Sequence, residues 1–370
     1  MHGDQMQSEE QSSKYIIMPE YDSIIEQVVL PETNTRIDDL VLKIEQVLKQ
    51  YSMLKEDLRV DRLTLSRMVE GNTTSYSLWL RDPAIFIGYD EFSKPLFLMS
   101  DNDILLKRGN FKDIIDAAIL SQYFESKGFN VEKVPFFVIG GDCVLTDKYA
   151  FIGWLTSGLT SSYYQSFEKA KEVIKKAFKS LGLEAVILDD VNNKGFNPEV
   201  FEEAYFIRQR QGFFHLDTLL SFVKPEKPGE GFESNATVYA VVADPANFLL
   251  SFEEKALQSN VKEHVQGYIN FVKNALIGLN FKIDEAPAIV SNARLWTPTN
   301  SIIDSKTVFL TDSFNQELNN LVGNVYKKLG LKTVFVSLAS GVEGNSLMRE
   351  LQQARAGLRC MCQVVRNKQS

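Results

Sequence analysis

A helical stretch that ends at a glycine and continues into an apolar strand recurs along this chain. It limits the possible folds more than any other feature of the sequence. Four copies have their glycines at Gly128, Gly182, Gly278 and Gly330. A glycine there adopts the left-handed conformation that closes a helix, and lysines in the last turns of three copies suit the negative end of the helix dipole. The pattern predicts at least four helix–strand units.

The sequence before the helices extends the unit. "GGDCVLTDKYAFIG" and "NSIIDSKTVFLTD" each predict a hairpin, with turns at Asp147-Lys148 and at Asp304-Ser305. "TNTRIDDLVLKIEQVLKQYSM" predicts a fifth helix, without the glycine. Any α/β protein has helix–glycine–strand junctions, but the near-identical "LGLEAVIL" and "LGLKTVFV" favour duplication. We therefore predict an α/β fold of about five strand–strand–helix–strand repeats, which stack or close into a ring because no unit buries its own apolar face.

Composition and charge narrow the class of protein. We expect a flexible tail over 1–13, a single domain over 14–366 and a short tail over 367–370, with a Pro- and Gly-rich loop at Val223–Asn235 as a lid over a site. Hydrophobic residues make up 44% of the chain, and no apolar run approaches the roughly 18 residues of a membrane span. The net charge of -8 argues against nucleic acid or an anionic membrane as partner. Three cysteines point to a reducing compartment, so we expect a cytoplasmic protein.

Histidine is scarce, which makes His215 informative. The others are His2 in the tail and His264 in a helical stretch. "GFFHLDTLLSFV" predicts a strand, in which His215 and Asp217 point to the same side. An acid beside an imidazole orients it and favours its protonated form. The alternative is an exposed pair on an edge strand, which the apolar flanks make less suitable here.

A second polar pair occurs in "YSLWLRDPAIFIG". Arg81 and Asp82 lie between an apolar stretch and a proline-led one, and Pro83 restricts Asp82 to an extended or turn conformation. This fits a strand end that faces a pocket. Taken alone, the pair is better explained by a surface salt bridge at a turn.

The C-terminal stretch "ARAGLRCMCQVVR" contains two of the three cysteines. Strand alternation would place Cys360 and Cys362 on one face and Arg359, Met361 and Gln363 on the other. An ordinary buried cysteine is the simplest explanation of either thiol.

A functional role for these cysteines would be metal binding or nucleophilic attack. A zinc site would need more ligands than two usable histidines and the distant Cys143 provide. A nucleophile needs positive charge nearby to lower its pKa, and Arg355, Arg359 or a charged His215 could supply it.

In this order, the motifs "RDP", "GGDCVLTDKYAFIG", "FFHLDTLLSFV" and "ARAGLRCMC" resemble those of the guanidino-group-modifying enzymes. That superfamily includes arginine deiminase, agmatine deiminase, dimethylargininase and amidinotransferases. The final motif is similar to the "RGGPRCMS" of arginine deiminases, and "WLRD" is equally similar to agmatine deiminase. The resemblance spans Lys14 to Val365 and implies the pentein fold, a five-bladed α/β propeller with its site on the central axis.

The resemblance also implies residue roles. Cys360 would be the nucleophile and His215 the general acid/base, while Asp217 and Asp82 would hold the guanidinium from opposite sides. Arg355 occupies the place of an arginine that contacts the substrate's carboxylate in arginine deiminases. Bidentate carboxylates fix the plane of a guanidinium, which is a poor electrophile.

Further residues belong to the expected substrate-binding set. Gly140, Gly141 and Asp142 match the family's Gly-Gly-Asp turn, and Arg81 is placed with Gly141 and Asp142 among the substrate-binding residues. The sequence departs from the family twice. Ile139 replaces the acid that usually precedes this turn, a loss that typically costs roughly 2–4 kcal/mol. "IGWLTSGLTSS" also lacks an arginine that grips the carboxylate in arginine deiminases.

The function implied is a cysteine-dependent amidinohydrolase that needs no cofactor or metal. A thiolate attacks the guanidinium carbon, the histidine protonates the departing amine, and water hydrolyses the thiouronium adduct with release of ammonia. The substrate would be arginine, a guanidino compound derived from it, or an arginine side chain on a protein. Two alternatives stay open: an amidinotransferase that passes the same adduct to an amine, and a non-catalytic pentein that binds a partner or a guanidino ligand. Ile139 favours the latter. The oligomeric state is not predicted.

Overall fold

The computed structural model describes residues 15–32, 37–65, 67–70, 73–76, 80–108, 111–188, 215–225, 238–245, 259–290, 295–337 and 358–367. The helices are α1 (Ile37–Tyr51), α2 (Asn102–Arg108), α3 (Phe111–Ser126), α4 (Trp154–Tyr164), α5 (Phe167–Ser180), α6 (Ser259–Gly278) and α7 (Gln316–Lys328). The strands are β1 (Ile16–Ile17), β2 (Ile25–Pro31), β3 (Arg59–Leu63), β4 (Arg67–Glu70), β5 (Thr73–Tyr76), β6 (Ala84–Tyr89), β7 (Pro95–Ser100), β8 (Asn130–Val134), β9 (Cys143–Leu145), β10 (Tyr149–Ile152), β11 (Glu184–Ile187), β12 (Leu220–Val223), β13 (Tyr239–Asp244), β14 (Lys282–Pro287), β15 (Ile289–Val290), β16 (Leu295–Trp296), β17 (Ile302–Asp304), β18 (Thr307–Thr311), β19 (Lys332–Val336) and β20 (Gln363–Arg366).

The predicted strand–strand–helix–strand unit is present. In one unit β9 pairs antiparallel with β10, α4 and α5 follow, and β11 returns parallel to β10. The same pairing joins β6, β7 and β8, then β12, β13 and β14, and then β17, β18 and β19. Both predicted hairpins form, one of them with Ser305 at a left-handed φ of 50° in its turn. The molecule is a mixed α/β protein in which one pattern of sheet is reused.

A fifth unit is assembled from both ends of the described chain. The C-terminal strand β20 pairs antiparallel with β2, which continues through α1 and pairs in parallel with β3. The helix without a glycine is therefore α1, as predicted. The unit matters for the site because β20 follows directly after Cys360.

The helix ends confirm three of the four predicted glycines. Gly128, Gly182 and Gly330 have φ values of 73°, 84° and 80°. In the third copy the prediction of Gly278 is wrong, because the left-handed residue is Asn280 with φ of 63°. The N–H of Phe281 bonds the carbonyl of Leu276, as the N–H after each glycine does in the other copies. Asparagine tolerates this conformation better than most residues, so α6 includes Gly278 as its last residue and closes two residues later, at Asn280.

Five helices, namely α1, α3, α5, α6 and α7, cover the sheet of their own unit with apolar side chains. Ile174 and Phe178 of α5 are fully buried in a cluster with Ala150 and Ile152 of β10. A second cluster joins β2 and α1 to the next unit through Ile302 and Phe309, and to the C-terminal segment through Met361 and Cys362. Neighbouring units thus share core, as repeats that cannot bury their own faces must do. Among the described residues, no helix combines the length and the apolar character needed to cross a bilayer.

Candidate active site

The candidate residues lie on short segments that each precede the first strand of a unit. We call these the pre-strand segments; they are 80–83, 139–142, 215–219, 297–301 and 358–362, which lead into β6, β9, β12, β17 and β20. Backbone hydrogen bonds join them directly. The N–H of Gly140 bonds the carbonyl of Asp82 at 3.0 Å, and the N–H of Arg81 bonds the carbonyl of Cys360 at 3.4 Å. These two bonds join three of the five segments, and side-chain contacts of His215 and Asn300 bring the other two beside them.

Two of these segments differ from the predicted strands. His215 precedes a 3-10 turn over Leu216–Thr218, and β12 begins only at Leu220. Cys360 lies in a second 3-10 turn, Arg359–Met361. The prediction that His215 and Asp217 lie together in a strand is wrong. The prediction that Cys360 and Cys362 share one face of a strand is also wrong. The apolar flanks favour a strand, but turns form here instead. In a turn, buried polar side chains can reach hydrogen-bond partners that a regular strand does not offer.

Cys360, His215 and Asp217 come together in this arrangement. The sulfur of Cys360, a ring nitrogen of His215 and a carboxylate oxygen of Asp217 all lie within 4.8 Å of one another. All three side chains are buried, with 3%, 2% and 0% exposure. Segments separated by about 145 residues thus converge on one sulfur atom, and a thiol, an imidazole and an acid are the groups from which a nucleophile–base site is built.

Asn300 bridges two of these groups and was not among the predicted site residues. Its Nδ2 donates to Oδ1 of Asp217 at 3.0 Å and to Sγ of Cys360 at 3.1 Å. The signal that could have found it is positional. Asn300 lies two residues before its strand, just as Asp82 and Gly141 lie two residues before theirs.

His215 is held by close packing. A Cβ atom on Gly141 would collide with Nδ1 of the imidazole, so only glycine fits beside the ring. Burial, and then the charge of Arg81, lower the pKa of His215 to about 3. The imidazole is therefore neutral near pH 7, contrary to the expectation that Asp217 would favour its protonated form and that a charged His215 would activate the cysteine.

Asp82 lies on the other side of the imidazole. Its Oδ1 is 3.8 Å from Nδ1 of His215, and its side chain is 32% exposed. Burial, and then the neighbouring charge of Asp217, raise the pKa of Asp82 to about 8. Of the four predicted catalytic side chains it is the one that solvent reaches, which marks the open side of the site.

Two buried arginines compensate the acids. Arg81 places Nε 3.3 Å from Oδ2 of Asp217, and Arg359 places its Nε 3.9 Å from the same oxygen. Glu20 forms ion pairs with both arginines. Burial alone would raise the pKa of Glu20, but Arg359 and Arg81 outweigh it and lower that pKa to about 2. Arg81, predicted to bind substrate, is thus already paired with two carboxylates.

Asp217 is the acid at the centre of this network. Burial raises its pKa to about 6, against the opposing charges of Arg359 and Arg81. It is therefore mostly ionised at pH 7 while lying in a fully buried position. The network provides a carboxylate that is charged but already compensated.

Asp142 has a different part from the one expected. Its Oδ1 accepts from the N–H of Leu216 at 3.1 Å, and its Oδ2 accepts from the N–H of Thr156 at 2.7 Å. Burial raises the pKa of Asp142 to about 7 even though these bonds oppose the shift. Both oxygens are used to fix the turn that carries His215 and the start of α4.

Of the remaining predicted features, the structure describes Ile139, whereas the others lie mostly or wholly outside the described residues. Ile139 is 8% exposed and belongs to an apolar cluster with Leu80 and Ala84. Arg355 and most of the loop at Val223–Asn235 lie outside the described residues, as does the tail over 1–13.

The three clustered ligand types could suggest a metal, but their surroundings do not fit one. A divalent cation would have to bind beside the guanidiniums of Arg81 and Arg359, and Asp217 Oδ1 and the sulfur already accept from Asn300. Burial raises the pKa of Cys362 to about 12 and that of Cys143 further still, so both behave as inert core thiols. All three cysteines are free of disulfides.

Comparisons with known proteins identify the fold. The agmatine deiminase of Enterococcus faecalis matches with a TM-score of 0.59 and 11% identity over 95% of each chain. The C. jejuni agmatine deiminase matches with a TM-score of 0.54 and 16% identity over 94% of this chain and 95% of that one. A cysteine-to-serine variant of the C. jejuni enzyme, with substrate bound, matches equally well. No family model and no curated protein matches the chain in sequence. The predicted resemblance is confirmed at the level of the mixed α/β fold that this chain shares with deiminases.

Proposed function

We propose that this protein is a cysteine-dependent amidinohydrolase that converts a guanidino group into a ureido group and releases ammonia. The observation that carries the proposal is the buried cluster of Cys360, His215 and Asp217 within 4.8 Å. The fold shared with agmatine deiminases supports it, because those proteins are named as enzymes that act on a guanidino compound. A protein that served only as a scaffold would have no physical need for a thiol, an imidazole and an acid buried within 4.8 Å of one another.

The proposed chemistry begins with a proton transfer. Neutral His215 takes the proton of the Cys360 thiol, and the thiolate forms a bond to the central carbon of the guanidinium. The tetrahedral adduct collapses when His215 returns the proton to the departing nitrogen, and ammonia leaves. His215 is neutral near pH 7, so its ring has a nitrogen lone pair available for this proton.

The second half of the reaction consumes water. His215 removes a proton from a water molecule as its oxygen attacks the thiouronium carbon. The sulfur then leaves as thiolate, and the product retains the new oxygen as a ureido carbonyl. One water enters and one ammonia leaves, so the atoms balance without a cofactor.

Substrate binding is assigned to Asp82 and Asp217. Asp217 lies beside the sulfur and is compensated by Arg81 and Arg359, so it orients a guanidinium without supplying a whole uncompensated charge. Asp82 borders the open side and has no arginine among its ion-pair contacts in the described residues. An incoming cation would therefore favour the ionised form of Asp82 most strongly.

We further propose that the five units form the blades of a five-bladed propeller, with the site on its axis. The reuse of one strand order in five sheets supports this arrangement. The pairing of β20 with β2 supports ring closure, because one unit is built from strands at both ends of the described chain.

The deciding experiment is a substrate panel. Arginine, agmatine, methylated arginines and an arginine peptide are incubated with the protein, and ammonia and ureido products are followed. We expect turnover of at least one compound, loss of at least 10³-fold in Cys360→Ser, and near wild-type rates in the matched control Cys362→Ser. An acceptor amine is added in parallel, because a transferred amidine in place of the ureido product would indicate an amidinotransferase.

A non-catalytic binding protein is the second candidate, and buried Ile139 is the observation that favours it. Binding of a guanidino compound without turnover in the wild type would support that alternative. Equal ammonia release by the wild type and Cys360→Ser would remove the proposed mechanism altogether.

A further inference from the structure

Asn300 is a buried amide that nothing in the resemblance assigns. It is 3% exposed and lies in the pre-strand segment 297–301. The phenol of Tyr326, on α7, donates to the carbonyl of Pro298 at 2.8 Å and anchors that segment to its own unit. The segment that carries the Asn300 amide is thus tied to a packed helix.

The neighbours of the amide determine which way it points. Oδ1 of Asp217 belongs to a carboxylate that faces the Nε atoms of Arg81 and Arg359, so it is charged and can only accept. The atom of Asn300 that meets it must be Nδ2. The second N–H of the same nitrogen is directed to the sulfur of Cys360.

The third polar atom of the side chain separates this arrangement from an ordinary core asparagine. Oδ1 of Asn300 is buried and has no hydrogen-bond partner among the described residues. Amides that serve only the fold normally satisfy their carbonyl oxygen as well. An unpaired acceptor beside a thiol and an acid fits a site that a donor-rich ligand, such as a guanidinium, completes.

We propose that Asn300 is a positioning residue that holds the sulfur of Cys360 at a fixed place beside Asp217 and stabilises its thiolate through an N–H···S hydrogen bond. This rests on the proposed role of Cys360 as nucleophile. A donor that meets a developing or resident negative charge in a buried site acts without reorganisation. The amide would supply part of the stabilisation that a charged His215 was expected to give.

The other titratable groups around the sulfur are Asp217 and the neutral His215 within 4.8 Å, and Arg81, whose positive charge the Cys360 thiolate stabilises. Arg359 is the preceding residue, and Glu20 pairs with both arginines. Substitution of Asn300 removes none of these side chains, but it takes a hydrogen bond from Asp217. A change in thiol reactivity would therefore report on the amide, through its N–H···S bond and through the carboxylate that it also holds.

The test measures the rate of Cys360 alkylation by iodoacetamide against pH, with mass spectrometry of the labelled peptides. In Asn300→Ala we expect the midpoint to rise by about one pH unit because one hydrogen bond to the thiolate is lost. In the near-isosteric Asn300→Asp we expect a larger rise, since a carboxylate would face the sulfur. On a substrate that the wild type turns over, kcat should fall about 10²-fold with a smaller change in KM.

Asn319→Ala is the matched control. Asn319 is also a buried asparagine, but its side-chain amide forms hydrogen bonds with Asp312 and Ser313 in a local turn. We expect its substitution to lower the melting temperature and to leave the alkylation midpoint unchanged.

An unshifted midpoint in both Asn300 variants, or failure of both to fold, would assign Asn300 to the fold and overturn the proposal. Because alkylation needs no turnover, the outcome does not depend on finding a substrate. If no guanidino compound reacts with the wild type, the proposed function fails while the labelling still decides the role of Asn300.

Discussion

Asp82 and His215 show how neighbours set the chemistry of a residue. The sequence places an acid two residues after His215, and from that spacing we expected a charged imidazole. The structure directs Asp217 instead towards Asn300 and the arginines, and burial leaves His215 neutral. Asp82, by contrast, has its pKa raised to about 8 by burial and by Asp217. The proton balance of the site therefore differs from the one that residue types alone suggest.

This balance predicts proton release on ligand binding. Near pH 7 Asp82 is largely protonated in the empty site because its pKa is about 8. A bound guanidinium favours the ionised form, lowers that pKa, and should release close to one proton. Calorimetric titration of Cys360→Ser with a turned-over guanidino compound, in two buffers of different ionisation enthalpy, measures the release.

The controls for this prediction follow from its cause. At pH 9, above the pKa of Asp82, the release should disappear, and Asp82→Asn should abolish it at pH 7. A neutral ureido ligand should release no proton. Proton uptake on binding the cation would contradict the assignment.

Helix termini show the same dependence on context at the scale of an element. The glycine pattern identified the ends of three helices correctly, because Gly128, Gly182 and Gly330 are left-handed. It failed for α6, where the hydrogen bond that closes the helix forms around Asn280. Aligning the repeats on their glycines therefore misplaces this repeat by two residues. Here an asparagine takes the left-handed conformation that glycine takes in the other copies.

Paired glycine substitutions test this revised alignment. Gly128 has φ of 73° with free space around its α-carbon, so Gly128→Ala should destabilise the protein by about 1 kcal/mol through backbone strain alone. Gly278 has equally free space but ends α6 without a left-handed φ. Gly278→Ala should be neutral or stabilise by up to about 1 kcal/mol. Urea unfolding measures both, and equal losses would contradict the alignment.

At the scale of the whole molecule, buried polar side chains tie distant parts of the chain to the site. Asp304 accepts hydrogen bonds from the N–H groups of Ile25 and Met53, which joins the β17–β18 hairpin to the N-terminal unit. Arg366 on β20 donates to the carbonyls of Glu20 and Ile303 at 3.0 and 2.7 Å. These contacts join both ends of the described chain near the segment that carries Cys360.

We expect Arg366 to stabilise the whole fold. It is 2% exposed, and its loss would leave several buried carbonyls without a donor. Arg366→Met should therefore lower the free energy of unfolding by about 2–4 kcal/mol in chemical denaturation. Arg366→Lys should recover only part of this, because an ammonium does not reproduce the planar donor set.

The control is an arginine at the surface. Arg59 is 58% exposed and pairs with Glu26, so Arg59→Lys should change stability by less than about 0.5 kcal/mol. Equal effects at the two positions would show that Arg366 does not join the ends of the chain.

The sequence by itself determined the repeated unit, its hairpins and most of its helix ends, because these depend on local periodicity and on backbone conformations that few residues adopt. It also identified Cys360, His215, Asp217 and Asp82 as candidate catalytic residues. Only the tertiary structure decided that pre-strand segments of five units meet, that Asn300 joins them, and that His215 is neutral. These properties depend on burial and on contacts between residues far apart in sequence, and no local pattern encodes either.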